Sequence, residues 1–109
     1  MTMLAIWATM QARPGRETEA RSFLEEAHRR IARDEPGTTS FHALDLGNGS
    51  FAIFNTFVDE EAVMAHVNGP IAAWVQATNP DLFVEPYAIT RAKLFAHKPH
   101  TTPTAVSED

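Results

Sequence analysis

Cysteine is absent from this chain, which removes disulfides, iron–sulfur clusters and thiolate catalysis from consideration. Long apolar runs are missing too, and no stretch approaches the roughly 20 residues that a membrane helix requires. Basic residues are scarce: 9 Lys and Arg stand against 14 Asp and Glu. The formal charge of −5 argues against a nucleic-acid partner, which demands a basic surface. The first residues carry neither a basic segment nor an apolar core of signal-peptide length, so a cytoplasmic protein is expected. Zinc, non-haem iron and phosphate-binding motifs are lacking, as are internal repeats and low-complexity tracts. The expectation is a protein with no metal and no cofactor.

What is present is the pattern of one small domain. A chain of 109 residues with 44% hydrophobic content can bury a single modest core. Its organising stretch runs from Phe41 to Trp74. Two apolar-rich segments, Ser40–Leu46 and Ser50–Val58, flank Gly47-Asn48-Gly49. Asn-Gly is a strong hairpin signal because both residues tolerate positive φ. Asp59 then suits a helix N-cap, and Glu60 and Glu61 place negative charge where the helix dipole favours it. The helix it opens carries Ala62, Val63, His66 and Val67, and Asn68-Gly69 closes it. This hairpin–helix unit gathers His42, Asn55 and His66.

Upstream, Met3–Gln11 alternates as a strand, with Leu4, Ile6, Ala8 and Met10 on one face and Met3, Ala5, Trp7 and Thr9 on the other. Both faces are apolar, so both want cover. From Arg16 to Asp34 the spacing becomes helical. Ala20, Phe23, Leu24, Ala27 and Ile31 form one stripe, and Glu17/Arg21, Glu25/Arg29 and Glu26/Arg30 form acid-before-base pairs on the wet side. Pro36 and Gly37 end it. Downstream, Pro70 opens a short helix, Ile71–Ala77, which Thr78-Asn79-Pro80 is expected to break. Leu82–Phe95 reads as the last strand, with Pro86 confining its early part to an edge or a bulge. The ordered domain is expected over residues 1–96. His97–Asp109, polar and aperiodic, is expected to be a disordered tail.

The order strand, helix, strand, strand, helix, strand predicts an α+β, ferredoxin-like βαββαβ fold with a four-stranded antiparallel sheet. Helices then cover one face of the sheet only. The other is too apolar to stay wet, which predicts a homodimer packed sheet against sheet.

Several short segments carry a family resemblance over about Met3 to Phe95. They are Ala12-Arg13-Pro14-Gly15-Arg16-Glu17 before the long helix, Asp34-Glu35-Pro36-Gly37 closing it, and Asp59-Glu60-Glu61-Ala62 with Ala65-His66-Val67 after the hairpin. In order and spacing they resemble the antibiotic biosynthesis monooxygenase (ABM) family of dimeric α+β barrels. The resemblance implies a cofactor-independent oxygenase of aromatic quinol, anthrone or polyketide-like molecules. A non-catalytic protein binding a small hydrophobic ligand, and a cofactor-free isomerase or cyclase, are the other functions such a fold hosts. Where the family's third strand carries a glutamate and a tryptophan, this chain has Asn55 and Phe57. Haem-degrading relatives carry an asparagine, a tryptophan and a histidine where this chain aligns Ala8, His66 and Gln76, which argues against haem degradation.

Among residues able to do chemistry, His66 is the candidate base, since imidazole titrates near neutrality and can take a phenolic proton. Asn55, polar among Phe51, Ile53 and Phe57, is the candidate anchor for a carbonyl or a developing anion. Trp7, Trp74, Phe57, Phe83 and Tyr87 are candidates to line a pocket for a small aromatic ligand. Arg91 shares a strand face with Tyr87 and is a candidate contact for a phenolate. His42 is a second candidate base beside the substrate. Plain structural alternatives are core packing for the aromatics, capping the edge of the helix–sheet interface for His66, a backbone hydrogen bond for Asn55 and a dimer-interface salt bridge for Arg91.

Overall fold

The computed structural model describes residues 3–98. Seven elements follow in order: β1 (Met3–Ala12), α1 (Glu17–Asp34), β2 (Thr38–Gly47), β3 (Ser50–Phe57), α2 (Glu60–Val67), α3 (Pro70–Leu82) and β4 (Phe83–Leu94). The strands form one four-stranded sheet in the order β2-β3-β1-β4, every neighbouring pair antiparallel. This is the ferredoxin-like α+β arrangement. Residues 97 and 98 follow β4 without regular structure, and the rest of the expected tail, 99–109, lies outside the described residues.

Local chemistry explains most of the boundaries. At the hairpin tip Gly47 pairs with Ser50 across Asn48-Gly49, and φ is +55° at Asn48 and +77° at Gly49. Positive φ at both central residues gives the turn a twist that matches the flanking strands. In α1 the expected stripe is the buried one: Ala20, Phe23, Leu24, Ala27 and Ile31. Of its expected ion pairs Glu26/Arg30 forms, while Arg21 and Arg29 take other partners. Glu26 holds both Arg29 and Arg30, and Arg21 reaches Glu25 and Asp45. Asp59 caps α2, its Oδ1 accepting the Ala62 N–H at 2.8 Å.

The helix α3 overruns its expected end. It continues through Asn79-Pro80 to Leu82, although an interior proline ordinarily costs about 3 kcal/mol. The carbonyls of its last turn, which no helical N–H reaches, find donors elsewhere: Arg13 Nε donates to Pro80 O at 2.7 Å, Arg16 Nη1 to Asp81 O at 3.3 Å, and Arg13 N to Leu82 O at 2.7 Å. Two guanidinium groups at a helix C-terminus also complement its dipole.

Strand register sorts the side chains. Leu4, Ile6, Ala8 and Met10 stand level with Phe57, Asn55, Ile53 and Phe51, and Ile6 and Ala8 with Arg91 and Ile89. This is the face the helices cover. Beneath α1 and α3 it holds the core of Phe23, Leu24, Phe51, Leu82 and Phe83. Trp7, Phe54 and His42 share a row on the opposite face, which no helix covers among the described residues. There Trp7 is 39% exposed and Leu44 38%.

Candidate functional site

Between sheet and helices lies a cavity of about 510 Å³. Ile6, Ala8, Met10 and Ile53 form its floor. Ala27 and Ile31 of α1 and Ile71 and Val75 of α3 form its roof. This lining is apolar, and the polar groups sit toward its ends. Asn55 stands at the Ile6 row, with His66 of α2 also lining the cavity, while Tyr87 and Glu85 stand beside Met10. Four residues of strand separate these rows, about 13 Å.

A bulge places the second group. Thr9 pairs with Ala88 but Gln11 with Val84, so Glu85, Pro86 and Tyr87 together oppose Met10. Proline is tolerated there because β4 is an edge strand and a bulge leaves residues unpaired. Tyr87 Oη is buried without a hydrogen-bond partner. Burial, with the charge of the nearby Glu85 carboxylate adding to it, raises the phenol above its ordinary value. At neutral pH Tyr87 is therefore a neutral hydroxyl.

Asn55, 4% exposed, also has an unpartnered buried atom, its Oδ1. Buried polar atoms normally find partners; two orphans in one cavity mark places where a ligand would be recognised.

The imidazole of His66 is held from behind. Its Nδ1 lies 2.7 Å from Glu35 Oε1, and Thr38 Oγ1 donates to the same oxygen at 2.9 Å. Both partners are largely buried, with side chains 16% and 13% exposed. The Phe57 ring packs against the imidazole at 5.2 Å between centroids. Glu35 reaches α2 because the turn after α1 comes very close: a Cβ at Gly37 would lie 2.7 Å from Ala62 Cβ. Val58 N donates to Gly37 O at 3.1 Å and fastens the approach.

Of the nine residues singled out from the sequence, the cavity brings together His66, Asn55 and Tyr87. Phe57 and Phe83 are fully buried in the core behind its walls. Trp74 packs against Phe23, the ring centroids 4.6 Å apart and the rings tilted, beneath the Arg30 guanidinium, 3.8 Å from the ring centroid. Trp7 and His42 are on the wrong face to reach it: strand alternation turns them away from the helices, and His42 stacks on Phe54 instead. Arg91 shares the Ile6 row, but its exposed guanidinium pairs with Glu60 at 2.8 Å. Glu35 was not anticipated. Its signal was a carboxylate at a helix C-terminus, where the dipole disfavours it, which calls for a partner elsewhere.

Among the described residues no group of three or more His, Asp or Glu could hold a metal ion, and no helix is long and apolar enough to cross a membrane. The sequence profile of the family described as "Antibiotic biosynthesis monooxygenase" matches residues 3–78. No functionally curated protein matches the sequence. A protein of unknown function from Nitrosomonas europaea is 37% identical, with 94% of this chain and 98% of that chain covered and a TM-score of 0.84. A candidate antibiotic biosynthesis monooxygenase from Caulobacter crescentus superposes with a TM-score of 0.78 at 14% identity, covering 86% of this chain and 91% of that one. Another, from Bacteroides thetaiotaomicron, gives 0.78 at 18% identity over 92% and 96%. At those identities the last two speak for the fold.

Proposed function

The chain belongs to the antibiotic biosynthesis monooxygenase family, and from that premise we propose that it oxygenates a phenolic aromatic molecule of the quinol, anthrone or polyketide type without a cofactor. The supporting observation is an apolar cavity of about 510 Å³ whose few polar groups include a histidine and two orphaned hydrogen-bonding atoms. Flat fused rings suit its lining, and hydroxyl or carbonyl groups on them suit Asn55 and Tyr87.

In this reading His66 takes the proton from a phenolic hydroxyl. The phenolate is electron-rich enough to pass an electron to molecular oxygen. For an anthrone the overall change balances with one O₂: the ring CH₂ becomes a carbonyl and the second oxygen atom leaves as water. Tyr87, neutral at working pH, donates to a ligand oxygen at the far end. The functional unit is a homodimer packed through the helix-free face of the sheet.

The test is oxygen uptake by metal-stripped protein given 1,8-dihydroxyanthrone, beside His66→Ala. Uptake above the spontaneous rate, falling by a factor of about 10²–10⁴ in the variant, is expected for a general base. Ligand binding with no uptake would replace the oxygenase with a carrier of aromatic molecules, and product formed without oxygen would replace it with an isomerase or cyclase.

A further inference from the structure

The Glu35–His66 pair is poorly explained as a stability device. A carboxylate and an imidazole, each largely buried, must give up hydration, and well-packed apolar residues in their place are often at least as stable. Three further features nevertheless serve the pair. Thr38 Oγ1 donates to the Glu35 oxygen that faces His66. Gly37 lets the turn approach α2 to a distance that any side chain would block. The Glu35 backbone N–H bonds to Ile31 O at 2.9 Å, which fixes where the carboxylate begins.

We propose that Glu35 is the positioning residue for His66, holding it in the Nδ1–H tautomer. An ionised carboxylate only accepts hydrogen bonds, so with Glu35 as the carboxylate the 2.7 Å contact puts the proton on Nδ1. In the neutral ring Nε2 is then left with its lone pair. His66 lines the cavity while Nδ1 is tied to the turn, so Nε2 is the nitrogen left for a ligand. A phenol's proton passes to Nε2, and the ionised Glu35 stabilises the resulting imidazolium without itself taking a proton. Glu35 touches no ligand and acts through the ring. This assignment rests on the reading of His66 as the pocket's base.

Nitrogen-15 NMR of the histidine side chains tests it, with His66 assigned by its loss in His66→Gln. Spectra are taken about two pH units above the ordinary imidazole value of roughly 6.5. Ligand-free protein is expected to show Nδ1 protonated and Nε2 bare. Saturating 1,8-dihydroxyanthraquinone, which has no CH₂ left to oxygenate, should shift Nε2 while Nδ1 stays put. In Glu35→Gln the amide can donate to Nδ1, so the tautomer preference should be lost. Thr38→Val, a milder change, should weaken it in the same direction. In oxygen uptake Glu35→Gln should lower kcat on the order of 10²-fold with KM little changed, as expected when a base is misdirected rather than a binding contact removed. A protonated Nε2 in the ligand-free protein would overturn the proposal. So would an Nε2 unmoved by an anthraquinone whose own absorbance reports that it is bound. Absence of oxygen uptake with the NMR pattern intact would count against the oxygenase and leave the tautomer assignment standing.

Discussion

Asn55 stands where an apolar residue would suit the fold better. It is 4% exposed, and its Oδ1 has no partner. An unsatisfied buried polar atom costs about 1–3 kcal/mol, so Asn55→Leu, close to it in shape, should stabilise the ligand-free protein by about 1 kcal/mol. For a domain of this size that corresponds to a rise in Tm of roughly 4–8 °C. The same variant should lose affinity for hydroxyanthraquinone, the usual exchange between stability and function at a binding site. A drop in Tm would mean that Oδ1 is satisfied in solution and that the cavity is wet at that end. Tyr87 can be followed directly, because it is the chain's one tyrosine. Its phenol is held above the ordinary value, chiefly by burial. The folded form therefore keeps the proton to higher pH than the unfolded form. The stability this contributes is complete below about pH 10 and is lost as pH rises through the raised value. Tyrosinate absorbance should thus appear at higher pH in folded than in urea-unfolded protein, and Tyr87→Phe should flatten the decline of Tm above pH 10. Coincident titration curves would place the hydroxyl in water.

At the level of elements, the approach of the turn after α1 to α2 decides whether Glu35 meets His66. Gly37→Ala would put a methyl group 2.7 Å from Ala62 Cβ, and the strain of such overpacking is about 1–3 kcal/mol. Thermal unfolding should show that loss in Gly37→Ala, and the double variant Gly37→Ala/Ala62→Gly should recover most of it. The remaining deficit is the roughly 1 kcal/mol cost of glycine inside a helix. Failure of the second change to help would show that the contact is not what makes Gly37 necessary. What could be read from the sequence follows the same division between local and distant causes. The stripe on α1 and the Asn48-Gly49 turn depend on side-chain periodicity and on φ, both carried by neighbouring residues. The end of α3 did not yield to that logic, since Arg13 and Arg16, 65–67 residues away, satisfy its last carbonyls. Glu35 escaped for a similar reason: Glu-Pro-Gly reads as a helix stop, and its partner lies 31 residues further on. Alternation correctly put Trp7 on the other face of β1 from Ile6. Aromatic character alone suggested a pocket residue, and it could not say which face the helices would cover.

For the whole molecule, the decisive feature is the face of the sheet that no helix covers among the described residues. Ala5 and Ala52 on it are almost fully buried by their neighbours, while Trp7 and Leu44 are more than a third exposed. The pairing of β1 with β3 runs from Leu4 to Gln11. Four strands about 4.8 Å apart and eight residues about 3.3 Å each give a plane of roughly 500 Å². Side chains make its accessible area larger, of the order of the 800 Å² that each partner contributes to a standard interface. A surface of this extent with Trp7, Phe54 and Leu44 on it is seldom left to water. Trp7 is central, paired with Phe54 on one side and Thr90 on the other. A charge there would have to be desolvated twice in a symmetric dimer, whereas in a monomer it would sit at a half-open surface. Sedimentation equilibrium should therefore give a dimer for the native chain and a monomer for Trp7→Glu, the variant keeping its far-UV dichroism. The Tm of the native chain should rise with protein concentration, and that of Trp7→Glu should not, because association stabilises only what associates. A monomeric native chain at tens of micromolar would leave the open face to another partner. The cavity lies on the other side of the sheet, so dimer loss should reduce hydroxyanthraquinone affinity only as far as the lone sheet loses its flat, rigid floor.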